Sequence, residues 1–256
     1  MAERIGRLLT AMITPFDSDG NVDYPQARRL ALALVASGSD GIVVAGTTGE
    51  SPSLTREEQT RLFVEIKEAV GDKGDVVAGT GSNSTAEAIK YTEDAQKTGA
   101  DAVLSVVPYY NKPPQEGLYQ HFKAIAESTD LPVILYNVPG RTSTNLNTDT
   151  VVRLSQIPNI MGIKEAGGDL NQAAHIIQDA RPGFLVWSGN DDQTYPIMAL
   201  GGYGIISVAS HIVGNQIKAM MGLMLEGDLE QAAAEHRRML PIFQGLFVVA
   251  NPIPVK

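Results

Sequence analysis

Eight short runs along the chain stay apolar on successive residues: 8–14, 41–45, 75–79, 102–107, 132–137, 160–164, 184–188 and 204–208. They are rich in Val, Ile and Leu, as strands covered on both faces are. Between them the apolar positions change to helical spacing. Thr55, with Glu58 three residues on, has the spacing of a capping box, and Leu62, Ile66 and Val70 then repeat every four residues to mark a buried face. Ser84 and Glu87 repeat the box ahead of Ala88 and Ala95, with a stop at Gly99; Leu118, Phe122 and Ala126 mark another face. Asp169 is placed to cap a helix running to Ala180, and a last helix is expected after Asp228, with Leu229, Ala233, Leu240 and Phe243 apolar.

Three helix ends resemble one another, at 37–41, 98–102 and 200–204, each with a glycine that can take the left-handed cap position just before a strand. Strand and helix thus alternate eight times, which fits a closed parallel (β/α)₈ barrel better than an open doubly wound sheet. The expected division is a barrel domain over residues 1–226 and a partial C-terminal helical region over 227–256.

Composition then narrows the function. A chain of 256 residues with 43% hydrophobic content can bury one large core. A net charge of −9 argues against nucleic acid as a partner, because phosphates demand a basic surface. Without cysteine the chain has neither disulfides nor thiolate metal sites. The first five residues lack the apolar stretch of a secretory signal and no apolar run is long enough to cross a bilayer, so a cytoplasmic protein with no membrane partner is expected.

In a parallel barrel, chemistry sits at the C-terminal ends of the strands. Those ends carry Thr14, the turn Gly46-Thr47-Thr48-Gly49-Glu50, Tyr109-Tyr110, Tyr136-Asn137, Lys164-Glu165, Gly189-Asn190-Asp191 and Ser207. Lys164 ends a buried-looking run, where an ammonium is costly and a neutral amine can attack a carbonyl. A lysine that snorkels, or that forms a structural ion pair with Glu50 or Glu165, explains the same position and on local pattern alone is slightly the better reading. Tyr136 ends the preceding strand and can serve as a proton shuttle for an imine, or be an ordinary amphipathic barrel residue. The Thr47-Thr48 turn suits a small carboxylate, and Arg141 on its Pro-Gly loop suits a second one; an ordinary turn and a surface arginine are the plainer alternatives.

Other chemistries fit less well. Residues 79–84 lack the third glycine of a dinucleotide fingerprint, and the four histidines show no metal-ligand spacing, so no metal site is expected. Asp191 and Asp192 read as helix-capping residues rather than magnesium ligands. Glu50 and Glu165 offer the two carboxylates of a glycosidase, but one tryptophan and 6% aromatic content leave few platforms for sugar.

Taken together, the stretches Gly46-Thr47-Thr48-Gly49-Glu50-Ser51, Pro108-Tyr109-Tyr110-Asn111-Lys112-Pro113, Tyr136-Asn137-Val138-Pro139-Gly140-Arg141-Thr142 and Gly162-Ile163-Lys164-Glu165-Ala166 resemble the dihydrodipicolinate synthases. These belong to the pyruvate-dependent, class I aldolase-like lyases that also include N-acetylneuraminate lyase. The similarity runs in order from Thr14-Pro15-Phe16 to Asn251-Pro252-Ile253-Pro254-Val255-Lys256. It implies a Schiff base on Lys164 with no cofactor, and a proton relay of Thr47, Tyr110 and Tyr136 in which Tyr110 comes from a neighbouring copy. It further implies that Thr48, with Thr47, binds the carboxylate of pyruvate, that Arg141 binds that of aspartate 4-semialdehyde, and that the Gly189 and Ile206 carbonyls line the pocket. A homo-oligomer, dimer or tetramer, is implied as well.

Sugar-acid lyases that share the lysine generally lack the arginine at Arg141, so they remain the alternative, beside a barrel that binds pyruvate without turnover. Ser51, Asn83, Glu87 and Tyr109 match positions that bind lysine as an effector in regulated members, but Arg56 and Gln59 stand where one regulated branch carries histidines. Members usually continue past the match to Lys256 with further helices, so apolar surface around Phe247, Val248 and Val249 is expected to be exposed.

Overall fold

A computed structural model of the chain describes residues 5–256. Eight parallel strands close into a barrel in sequence order: β1 (Leu8–Ala11), β2 (Gly41–Val44), β3 (Asp75–Gly79), β4 (Ala102–Val106), β5 (Val133–Asn137), β6 (Ile160–Glu165), β7 (Leu185–Ser188) and β8 (Gly204–Ser207). β8 pairs back onto β1 through Leu8–Ile205, Leu9–Ile206 and Thr10–Ser207, which removes every sheet edge. The (β/α)₈ architecture expected from the apolar runs is therefore present. The main difference is at β1, which ends at Ala11 rather than reaching residue 14. Thr14 instead donates its hydroxyl to the carbonyl of Gly49 at 2.7 Å, so the chain beyond β1 is given to bracing the β2 turn.

The helices are α1 (Tyr24–Ala36), α2 (Arg56–Val70), α3 (Thr85–Lys97), α4 (Gln115–Glu127), α5 (Pro139–Thr142), α6 (Thr148–Ser155), α7 (Leu170–Asp179), α8 (Thr194–Ala199), α9 (Ser210–Glu226) and α10 (Leu229–Gly245). Thr55 and Glu58 form the full reciprocal capping box at the start of α2. At α3 the box is half made. Ser84 accepts from the Glu87 amide, but the Glu87 carboxylate turns away to accept from the Ser82 hydroxyl at 2.9 Å.

Alternation along each strand separates two apolar layers. Outward residues such as Ile42, Val76, Val103, Leu135 and Ile163 pack against the helices, whereas Leu9, Val43, Val77, Leu104, Ile134 and Trp187 fill the barrel. Gly162 is needed in the second layer, because a Cβ there would lie 2.7 Å from the Trp187 ring. Trp187 donates its indole N–H to the carbonyl of Gly6 at 3.0 Å and seals the barrel away from the strand C-termini. A third apolar cluster joins Leu8 and Ile205 to Met220 and Met221 of α9 and to Met239 and Phe243 of α10. Beyond α10, Phe247, Val248 and Val249 stand exposed, Val248 at 75%. No helix among the described residues is long and apolar enough to cross a membrane.

Candidate active site

Register sets the centre of the site. β5 and β6 pair Tyr136 with Lys164 and Asn137 with Glu165. The first pair faces the barrel interior: Lys164 and Tyr136 are only 5% and 6% exposed, and the lysine Nζ lies 4.4 Å from the centre of the Tyr136 ring. A phenol ring of this kind can hold an ammonium by its face and still leave the amine free of a carboxylate. Neither ion pair open to Lys164 in the sequence is formed. Glu50 pairs with Lys256 at 2.5 Å, and Glu165 faces the other side of the sheet. The separation also removes the glycosidase geometry, which needs two carboxylates facing one substrate.

Behind the lysine, the outward pair forms a buried polar network. Glu165 accepts from Asn137 Nδ2 at 3.0 and 3.1 Å, from Gln172 Nε2 at 3.2 Å and from the Gly167 amide at 2.5 Å. Asn137 in turn donates to Asn145 at 2.8 Å and accepts from the Leu146 amide at 3.0 Å. Burial pushes the Glu165 carboxyl above its ordinary value, against the pull of these donors. The network clamps the C-terminal ends of β5 and β6 to the loop before α6 and to α7.

Gly189 follows β7 and gives the lysine its room, since a Cβ there would lie 3.1 Å from Lys164 Cε. Ile206 on β8 is fully buried and belongs to the barrel interior with Tyr136. Asp191 is the other buried carboxylate on this side. It accepts from the Ser207 hydroxyl and from the amides of Val208 at 3.2 Å and Ala209 at 3.1 Å, in the turn between β8 and α9. The helix cap expected of Asp191 and Asp192 is not formed: no helix among the described residues takes a side-chain cap from either residue, and Asp191 instead ties down the turn that follows β8. Burial raises the Asp191 carboxyl, and the charge of Lys164 is among the groups that oppose that rise.

The remaining residues sit at the mouth. The β2 turn holds Thr47 and Thr48 between Ala45 and Glu50, two non-glycine residues with φ of 52° and 55°. Such backbone conformations are uncommon and cluster at functional sites. Thr48 is buried, and its hydroxyl accepts from Asn251 Nδ2 at 2.9 Å. Arg141 on α5 donates from Nη2 to the Asn251 carbonyl at 3.0 Å. Asn251 enters the sequence reading only as the start of the stretch that ends the resemblance, with no role at the site; it lies 203 positions from Thr48.

Thr47, Arg141, Ser51, Glu87 and Tyr109 line one cleft of about 400 Å³, so two of the mouth residues and three of the four effector positions share a cavity. Asn83 stands beside it, its carbonyl accepting from Asn111 Nδ2 at 2.9 Å. Gln59, also in the cleft, donates to the Ser51 carbonyl at 3.0 Å, and Arg56 is paired with Asp94. Lys164 is not in this cleft but deeper, toward the barrel axis. Tyr110 is brought to neither: it is 89% exposed and held at φ +71°. Among the described residues no group of three His, Cys, Asp or Glu is placed to hold a metal ion.

The chain resembles known proteins over nearly its whole length. The model of the dihydrodipicolinate synthetase family matches residues 4–256. A 4-hydroxy-tetrahydrodipicolinate synthase of Dehalococcoides mccartyi (strain CBDB1) is 62% identical over 254 residues, covering 99% of this chain and 86% of that protein. The crystal structure of a dihydrodipicolinate synthase from Bacillus anthracis superposes with a TM-score of 0.96 at 49% identity, over 99% of this chain and 87% of the other. That of the enzyme from Cyanidioschyzon merolae with lysine bound gives a TM-score of 0.96 at 49% identity, over 98% and 86%. A lysine and tyrosine facing each other inside a closed eight-stranded barrel, in a chain this similar to these enzymes, place it in one family: the chain belongs to the dihydrodipicolinate synthetases.

Proposed function

We propose that the chain condenses pyruvate with L-aspartate 4-semialdehyde to 4-hydroxy-tetrahydrodipicolinate, the reaction named for its relatives and a step toward diaminopimelate and lysine. The observation that carries this reading is the buried Lys164 amine over the Tyr136 ring, with no carboxylate partner within 4 Å among the described residues. Lys164 Nζ attacks the carbonyl carbon of pyruvate and a molecule of water leaves, giving a protonated imine. That imine is an electron sink, so the methyl group loses a proton and becomes an enamine without any other cofactor. The enamine carbon bonds to the aldehyde carbon, whose oxygen takes up a proton. The amine of the second substrate then adds to the imine carbon, and Lys164 departs as the ring closes.

Each remaining residue answers a need of that sequence. Tyr136, Thr47 and Tyr110 carry the protons, with Tyr110 supplied by a second copy of the chain; its exposure at the mouth of its own barrel supports that origin. Thr48 binds the pyruvate carboxylate and Arg141 the carboxylate of the semialdehyde. The carbonyls of Gly189 and Ile206 line the pocket. Ser51, Asn83, Glu87 and Tyr109 form an effector site for free lysine, in line with the lysine bound in the Cyanidioschyzon enzyme. The protein acts in the cytoplasm as a homo-oligomer.

The test is a substrate panel. Purified chain with pyruvate is offered aspartate semialdehyde, and separately N-acetylneuraminate and other sugar acids. Turnover with the semialdehyde alone is the expected result; cleavage of a sugar acid with no semialdehyde-dependent product contradicts it.

A further inference from the structure

We infer that Asn251 is a positioning residue that orders both carboxylate-binding groups at once. The inference rests on the reading of Thr48 and Arg141 given above and adds what holds them. Residues 251–256 lie across the mouth of the barrel, fixed at one end by Asn251 and at the other by Lys256, which pairs with Glu50 at 2.5 Å and lies 4.2 Å over the Phe16 ring. Asn251 is 7% exposed and uses two separate groups. Its side-chain amide donates to the Thr48 hydroxyl at 2.9 Å, and its backbone carbonyl accepts from Arg141 Nη2 at 3.0 Å.

The direction of the first bond matters. A hydroxyl has one hydrogen, and a donor placed on its oxygen turns that hydrogen outward. Asn251 therefore leaves the Thr48 proton to be given to a carboxylate. The second bond fixes one nitrogen of the Arg141 guanidinium, so its other donors are presented in one orientation rather than sampled by a long, exposed side chain. A purely structural asparagine in a buried position pairs both ends of its amide. Here Oδ1 is buried with no partner among the described residues, so the one hydrogen bond of the Asn251 side chain is the one to Thr48.

The test uses pyruvate as the probe and borohydride to fix the imine, with the trapped fraction followed against pyruvate concentration. Asn251→Ala is expected to raise the half-saturating pyruvate concentration by about three- to tenfold, the worth of one hydrogen bond. Asn251→Asp is nearly isosteric and keeps the fold, but it can only accept. It takes the Thr48 proton for itself, and a larger increase is expected. In a Thr48→Val background, Asn251→Ala is expected to add nothing, because the group it acts through is gone. Half-saturation unchanged in both single variants, or an effect of Asn251→Ala that persists in full in the Thr48→Val background, overturns the inference. If the unaltered chain is not trapped by pyruvate, the Schiff-base reading falls and this inference with it; trapping with unshifted half-saturation removes the inference alone.

Discussion

Tyr136 and Tyr110, proposed for the same proton relay, are built in opposite ways. Tyr136 ends a central strand, is 6% exposed and is pinned to Lys164 by the β5–β6 register. Tyr110 sits on the loop after β4, is 89% exposed and holds a left-handed backbone conformation. One is positioned by the barrel of a single chain. The other is held out in solvent by its loop. A strand end thus gives geometry by hydrogen-bond register, whereas a loop end gives reach.

The difference is broken most directly by mixing variants. Tyr136→Phe and Tyr110→Phe are each expected to lower kcat by about 10²- to 10⁴-fold, the usual worth of a general acid–base group. Each is then mixed with Lys164→Ala chains under conditions of subunit exchange. Activity is expected to return for Tyr110→Phe, whose lysine can meet an intact Tyr110 from the other chain. It is not expected to return for Tyr136→Phe, since that tyrosine and Lys164 must lie in one barrel. Recovery in both cases, or in neither after exchange is verified, removes the contrast.

The register side of the comparison is sharpened at Glu165. Glu165→Ala removes the carboxylate that accepts from the buried Asn137 amide, the half-buried Gln172 amide and the Gly167 N–H, and a loss of about 1–3 kcal/mol in unfolding free energy is expected. Because the β5–β6 ends loosen together, the rate of imine trapping at Lys164 is expected to fall as well. A stable variant with normal trapping shows that the strands alone set the register.

A smaller effect comes from His121, which hydrogen-bonds Thr85 at 2.9 Å between α3 and α4. Burial lowers its pKa from 6.5 to about 4. The unfolded chain therefore takes up this proton first as the pH falls. The stability His121 contributes is complete above about 6.5 and is lost toward about 4. His121→Gln is expected to flatten the fall in melting temperature over that window. Glu165 and Asp191, both raised by burial, act in the opposite sense and are unchanged by the substitution. An identical acid profile in the variant contradicts the assignment.

The smallest effect is expected at the apolar surface beyond α10. Val248→Ser, at a residue 75% exposed, is expected to reduce fluorescence of an apolar dye and leave the melting temperature within about 0.5 kcal/mol equivalent of the unaltered chain.

How far the molecule is legible from its sequence follows the same division. All eight strands appear as apolar runs, because a parallel strand buried on both faces has no polar alternation to blur it. Lys164, Tyr136 and Gly189 are legible as strand ends, since the barrel topology alone assigns them to one rim. The pairing that decides between lysine roles is not legible: Glu50 and Glu165 are near Lys164 in plausible schemes, and only register and the turn to Lys256 send them elsewhere. The half-made cap at Ser84 is hidden for a similar reason, as Ser82 competes for Glu87 across a turn that the spacing does not describe. Asn251 is hidden by distance along the chain, its two contacts lying 203 and 110 residues away.

Lys164 is proposed as the amine that carries pyruvate. Chain incubated with pyruvate and borohydride, digested and analysed by peptide mass, is expected to carry the reduced pyruvate adduct on the peptide containing Lys164, with no adduct in Lys164→Ala. An adduct on another lysine, or labelling that survives in Lys164→Ala, contradicts it.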